Sequence, residues 1–203
     1  MSALRESSFD EEPAEPVGTK IGPWTRLSVS TPYANPWIQV EHHEVIDPSG
    51  HPGIYGVVRF LHRALGCVPL HDDGTVTLVG QHRYPLDLWL WEIPEGGGDP
   101  AADPLSEMKR ELSEEAGLSA EEWVPLGVLH TSNSVSDEVA HLWLARGLRE
   151  GVRSLDSTEG DMRTWRVPFP EALAMAMDGR ITDAISVAAL SRAAAWLDAR
   201  RRG

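Results

Sequence analysis

Four glutamates crowd one short stretch of the chain: Glu107, Glu111, Glu114 and Glu115. On a helix Glu107, Glu111 and Glu115 are successive i,i+4 neighbours, and Glu114 lies three residues past Glu111, so all project toward roughly one side. As bare structure this is unfavourable. Like charges at i,i+4 repel by roughly 0.2–0.5 kcal/mol per pair, and the last helical turn already carries negative partial charge. A solvated acidic face is the plain alternative, since glutamate is a good helix former. A hard divalent cation turns the repulsion into coordination, because Mg2+ prefers carboxylate oxygens. Just upstream, Glu95-Gly96-Gly97-Gly98 reads as a strand-to-loop turn whose backbone can approach a metal or a phosphate closely.

The elements that must position these groups can be read from spacing and turn chemistry. Asp103 is a suitable N-cap and Pro104 suits the first helical position, where its missing N–H costs nothing. Leu105, Met108 and Leu112 recur at helical spacing, and Gly117 supplies a left-handed stop, which predicts a helix from Pro104 to Ala116. Leu88 to Ile93 reads as the strand leading in, stopped by Pro94. Trp37 to Val45, Gly56 to Leu65, Thr75 to Gln81, Val124 to Thr131, Val139 to Ala145 and Met162 to Val167 are further strands, with turns at Pro48-Ser49-Gly50 and Asp72-Asp73-Gly74. Pro170 to Met177 and Thr182 to Arg200, the latter capped by Thr182 or Asp183, are helices. Strands first, a helix in the middle and helices at the end predict an α+β fold, helices packed on a mixed sheet. Residues 1–20 are acidic, Pro-containing and poor in large apolar groups, the composition of a disordered arm.

Composition narrows the chemistry. With 18 Lys and Arg against 31 Asp and Glu, the formal net charge is -13. Nucleic-acid binding neutralises phosphates with clustered cations, so no nucleic-acid partner is expected; Arg200-Arg201-Arg202 mainly complements a helix dipole. A single cysteine, Cys67, allows no internal disulfide and reads as a small buried hydrophobe. No apolar run approaches a membrane span, so no membrane partner is expected and the cytoplasm is the default location. His42-His43 lie on a strand, where neighbours face opposite sides, and Ser132, Ser134 and Ser136 lack a nucleophile-elbow context.

Arg110-Glu111-Leu112-Ser113-Glu114-Glu115-Ala116-Gly117-Leu118, with Gly96 at the start, resembles the Nudix box: Gly, five residues, Glu, seven residues, then Arg-Glu-apolar-x-Glu-Glu-x-Gly-apolar. Gln81-His82-Arg83-Tyr84-Pro85, Trp91-Glu92-Ile93-Pro94-Glu95 and the loop Ser132–Glu138 resemble the ADP-ribose pyrophosphatase branch of that family. The resemblance implies an α/β/α sandwich, with N-terminal strands over 21–66 serving dimerisation and the base pocket and a hydrolase domain over 67–203. It implies Glu111 and Glu115 as main ligands and catalytic groups, with Glu114 and the Glu95 carbonyl completing a Mg2+ site that Mn2+ could also fill. Arg83 and Arg59 would contact phosphate, and Glu138 would touch metal-bound water or the terminal ribose. Trp24, Tyr33 and Trp37 are candidates to stack on a nucleobase across a homodimer.

Two positions depart from the pattern. The first glutamate of the box should fall at 102, where this chain has Ala102; Glu107, three residues before Arg110, could pair with that arginine instead. Gly160 stands at the usual place of the general base, which leaves Glu159 as the candidate. The resemblance therefore implies Mg2+-dependent hydrolysis of a small-molecule nucleoside diphosphate sugar, ADP-ribose foremost, to AMP and ribose 5-phosphate. Another sugar nucleotide such as GDP-mannose, and a degenerate domain that binds a nucleotide without cleaving it, are the alternatives.

Overall fold

A computed structural model describes residues 18–155 and 160–202. The chain runs β1 (Thr19–Ile21), β2 (Trp24–Ala34), β3 (Ile38–Ile46), β4 (Pro52–Phe60), β5 (Arg63–Pro69), β6 (Thr75–Arg83), β7 (Leu88–Glu92), β8 (Glu95–Gly98), α1 (Pro104–Ala116), β9 (Leu118–His130), β10 (Val139–Glu150), β11 (Arg163–Pro168), α2 (Phe169–Asp178) and α3 (Ala184–Arg202). The four N-terminal strands form an antiparallel sheet of their own. Its first strand starts at Thr19, inside the stretch expected to be an unstructured arm. The rest divides into a four-stranded mixed sheet in the order β8-β5-β10-β9 and a three-stranded antiparallel sheet in the order β11-β6-β7.

The sandwich follows from strand alternation. Along a strand successive side chains face opposite sides, and β5 and β10 are buried on both. Leu65 and Cys67 of β5, with Trp143 and Ala145 of β10, join Met108 and Leu112 of α1 in one core. Val68 of β5 and Ala140, Leu142 and Leu144 of β10 point the other way, into a larger core completed by α2 and α3. Helices on both faces account for the near-continuous apolar run of β5, and β10 pairs with β5 in parallel, as such doubly covered strands can. At Gly66 the absence of a side chain lets α3 approach: a Cβ there would meet Ile185 Cγ2 at 2.9 Å.

The acidic helix α1 has the predicted limits. Asp103 accepts a hydrogen bond from Ser106 N at 2.9 Å, Pro104 opens the helix, and Gly117 closes it at φ 65. Two other expectations are corrected. The single strand expected from Gly56 to Leu65 breaks at Leu61-His62, and its halves belong to different sheets. No turn residue marks the break; it is held from afar, by Asp137 accepting from Phe60 N and by Trp37 O accepting from Leu61 N. The glycine run expected as a loop is strand β8, paired antiparallel with β5 from Gly66↔Glu95 to Arg63↔Gly98. For α3 the cap is Asp183, whose Oδ2 accepts from Ser186 N at 2.6 Å.

Leu112 is fully buried between α1 and β5. Leu112→Ala is expected to cost about 2–5 kcal/mol of unfolding free energy, measured by denaturant titration; a loss well below that range would show that α1 is not docked as described.

Candidate functional site

The acidic helix α1 meets the glycine strand β8 edge-on. Glu111 and Glu115 are both buried, at 7% and 1% exposure, which is rare for glutamate unless it is paired. Glu115 Oε2 accepts a hydrogen bond from the backbone N–H of Glu95 at 3.0 Å. Glu111 lies directly against Gly96: a Cβ built there would sit 2.1 Å from Glu111 Cδ and 2.5 Å from Oε2. Only glycine leaves room for that carboxylate. Arg110 gathers the other acids, with Nη2 donating to Glu111 Oε1 at 2.7 Å and to Glu107 Oε2 at 3.3 Å, and Nη1 donating to Glu114 Oε2 at 2.5 Å. Burial opposes the arginine's charge, but Glu111 and then Glu114 keep it protonated. Glu107 thus pairs with Arg110 in a chain that has alanine at 102. The Ala102 carbonyl itself accepts from Arg63 Nη1 at 3.2 Å.

A cavity of about 510 Å3 opens beside this junction. Its wall includes Arg83, Glu95, Gly96, Glu115, Glu138 and Asp183. Arg83, at the end of β6, is fixed by Glu92, buried at 1% exposure: Nε lies 2.9 and 3.0 Å from its two carboxylate oxygens and Nη2 2.5 Å from Oε2. Burial works against that guanidinium's charge, yet the Glu92 contacts raise its pKa. Glu138 accepts from the Thr131 hydroxyl across the loop that follows β9. The side chain of Glu95 is held by Ser186 Oγ at 2.7 Å. Its carboxyl is pushed well above the usual range by burial first, and then by the neighbouring Asp183 carboxylate.

The structure therefore brings together Arg83, Glu95, Glu115 and Glu138 on one cavity, with Glu111 immediately behind Gly96. It does not bring Glu114, Arg59 or Trp37 there. Glu114 turns to Arg110. Arg59 pairs with Glu41 at 3.0 Å and Asp137 at 3.1 Å, lining a second cavity of about 290 Å3 with Trp24, His43 and Tyr55. Trp37, 65% exposed, borders neither cavity; nor does Tyr33, at 54%. Glu159 lies outside the described residues. Cys67 is fully buried, and burial, then Glu115 and Glu95, push its thiol up, so it is the inert core residue expected. Sequence reasoning missed Asp183 and Ser186, which are ordinary helix-start residues until the fold carries α3 to the Pro94-Glu95 corner.

Among the described residues no group of three or more His, Cys, Asp or Glu side chains is placed to hold a metal ion unaided. The donor set still suits Mg2+, which is held through one or two carboxylates together with substrate phosphates and waters. Two buried carboxylates, Glu111 against Gly96 and Glu115 on the Glu95 N–H, meet that description.

The fold and this junction define a class: an α/β/α sandwich that presents Glu115 of helix α1 to a cleft of about 510 Å3, with Glu111 beside it. A family model for the NUDIX domain matches residues 60–188, and the chain belongs to that family. A model for the nucleoside diphosphate sugar hydrolase N-terminal domain matches residues 24–58, the span of β2 to β4. The chain is 37% identical over 127 residues to an ADP-ribose pyrophosphatase of Mycobacterium tuberculosis, covering 62% of this chain and 61% of that protein. It is 31% identical over 123 residues to an ADP-ribose pyrophosphatase of Bacillus subtilis, covering 60% and 66%. A methanol dehydrogenase activator of Bacillus methanolicus is 31% identical over 155 residues, covering 75% and 82%. The matches thus span just under two thirds of both pyrophosphatase relatives. A solved structure of an ADP compounds hydrolase superposes with a TM-score of 0.79 at 22% identity, covering 92% of this chain and 100% of that one; this likeness concerns the fold.

The Glu95 carboxyl carries a consequence for pH. Its folded pKa lies above the ordinary value of 4.5, so its stabilising share is complete below that value and is lost as pH rises through the folded one. In metal-free protein, unfolding free energy is expected to fall more between about pH 5 and about pH 8 in the wild type than in Glu95→Gln. An equal fall in wild type and Glu95→Gln, measured by denaturant titration at the two pH values, would refute it.

Proposed function

We propose that this protein hydrolyses the diphosphate linkage of a nucleoside diphosphate sugar, ADP-ribose foremost, giving AMP and ribose 5-phosphate. The observation that carries the reading is Glu115: a carboxylate 1% exposed, aimed by the Glu95 N–H, on the wall of a cleft shared with Arg83 and Glu138. Burying a carboxylate is costly unless it is paired, and Glu115 shares this junction with a second buried glutamate, Glu111. Glu111 and Glu115 would hold a divalent cation, Mg2+ or Mn2+, with the Glu95 carbonyl and, through Arg110, Glu114 as supports. When bound, such a cation neutralises diphosphate oxygens and lowers the pKa of water.

In the reaction a water oxygen bonds to one phosphorus and the bridging P–O bond breaks. The departing phosphate keeps the electron pair, and the water's proton goes to a carboxylate, for which Glu159 is the candidate. Arg83, locked by Glu92, presents a planar guanidinium suited to phosphate oxygens. Glu138 faces the same cleft and suits contact with a ribose hydroxyl or bound water. The cavity lined by Trp24, Tyr55 and Arg59 suits a flat base; of the candidates Trp24, Tyr33 and Trp37, this reading keeps Trp24. The exposed apolar residues Leu27, Val29 and Tyr33 on β2 and Trp37 in the turn that follows it favour a homodimer, which a monomeric sedimentation profile would overturn. A cytoplasmic location agrees with a nucleotide-derived substrate and with a lone, buried thiol.

A sister specificity such as GDP-mannose is the second reading, favoured by the match of the N-terminal strands to a nucleoside diphosphate sugar hydrolase model. Binding without turnover is less favoured, because Glu107 supplies Arg110 with the partner that Ala102 cannot.

With ADP-ribose and excess Mg2+, the wild type is expected to yield AMP and ribose 5-phosphate, resolved by chromatography. Glu115→Gln is expected to lower the rate at least about 100-fold, since metal charge stabilisation is worth several kcal/mol. Gly96→Ala is expected to lose a similar factor while keeping its melting temperature, because the flexible end of Glu111 can yield to the new methyl but cannot then keep its place. Full activity in both variants would remove the acidic helix from the reaction; cleavage of GDP-mannose alone would move the assignment to the sister specificity.

A further inference from the structure

Ser186 has no exposed surface, and both bonds of its hydroxyl go to one place. Its Oγ accepts from the N–H of Ile93 at 2.9 Å and donates to Glu95 Oε1 at 2.7 Å. Between these two residues stands Pro94, which has no N–H; its carbonyl accepts from Cys67 N at 3.1 Å. The next N–H along, that of Glu95, is the one that holds Glu115 Oε2. A single hydroxyl thus clamps both sides of the corner from which the buried glutamate is aimed.

We infer that Ser186, in the first turn of α3, is a positioning residue for Glu115, acting through the Ile93-Pro94-Glu95 corner. The inference rests on the reading that Glu115 holds a divalent cation. Burying a hydroxyl is unfavourable unless its hydrogen bonds are made, and α3 is otherwise rich in alanine, the better helix former, at Ala184, Ala188, Ala189, Ala193, Ala194 and Ala195. A serine confined to core filling would therefore be the poorer choice. Its placement is also prepared on both sides. Asp183 fixes the helix start by accepting from Ser186 N, and side-chain-free Gly66 admits the neighbouring Ile185. Removing the hydroxyl leaves the buried Ile93 N–H without its acceptor and Glu95 without a donor. The corner must then shift to find others, and the Glu95 N–H moves with it. Groups that orient metal ligands from behind are typically worth about 10–100-fold in metal affinity.

The test reads metal binding without turnover. Mn2+ is titrated into the full chain in the absence of nucleotide, and free Mn2+ is followed by electron paramagnetic resonance. Ser186→Ala is expected to weaken binding about 10-fold or more, and Ser186→Thr, which keeps the hydroxyl, to recover most of the loss. Ala193→Gly, a buried change on the same helix away from the corner, should lower the melting temperature but leave Mn2+ affinity as in the wild type. Should Ser186→Ala fail to fold, Ser186→Cys carries the same expectation, having similar size and a poor donor. Unchanged affinity in the folded Ser186 variants, or an equal loss in Ala193→Gly, would overturn the inference while leaving the metal reading intact. A wild type that takes up no Mn2+ would overturn the metal reading and this inference together.

Discussion

Glu111 and Gly96 occupy adjoining space that a single methyl group would fill. Helix α1 can present its glutamates at the cleft only because the strand it meets has no side chain at that point. That strand must in turn be anchored, since a run of glycines has high conformational freedom and a poor strand propensity. Antiparallel pairing of β8 with β5 supplies the anchor. The same β5 carries Leu65 and Cys67 into the core under α1, so one strand sets the position of both partners in the contact. The packing of the sandwich and the geometry of the acidic junction are in this sense one problem.

Around the junction, burial of charge is offset by pairing. Glu92 is almost inaccessible, and Arg83 takes both its oxygens. Arg110 spreads one positive charge over three carboxylates. Glu95 and Asp183 lie close enough that burial and mutual repulsion push the Glu95 carboxyl upward. No buried side-chain nitrogen or oxygen is left without a hydrogen-bond partner among the described residues. Fully connected buried networks hold their members in single positions, whereas a half-satisfied one would cost more than an apolar core. That rigidity is what orienting a bound ligand requires.

The N-terminal sheet is a separate construction with a different surface. Most of β2 is exposed, and the sheet reaches the rest of the chain through Tyr55 and Arg59 of β4, which touch Ser134 and Asp137 of the loop after β9. That loop also ends in Glu138, on the wall of the acidic cleft. The two cavities are therefore bordered by one short segment, residues 131–138.

Local chemistry determined the acidic helix completely: cap, first-turn proline, apolar stripe and left-handed glycine stop each act within a few residues, and each is written in residue type. The same holds for Glu107 as a partner of Arg110, three residues along the same helix, while Gly96 was legible from its place in the motif and Cys67 from its apolar neighbours. What only the tertiary structure decided involves residues distant along the chain. The break at Leu61-His62 is held by Trp37 and Asp137, the glycine run is a strand because β5 pairs with it, and Arg59 serves the aromatic cavity because Glu41 and Asp137 draw it there. Ser186 reaches the corner at Ile93 and Glu95 only because the sheet stops α3 at Gly66. No local spacing rule expresses such contacts, since their geometry is set by the packing of whole elements on one another.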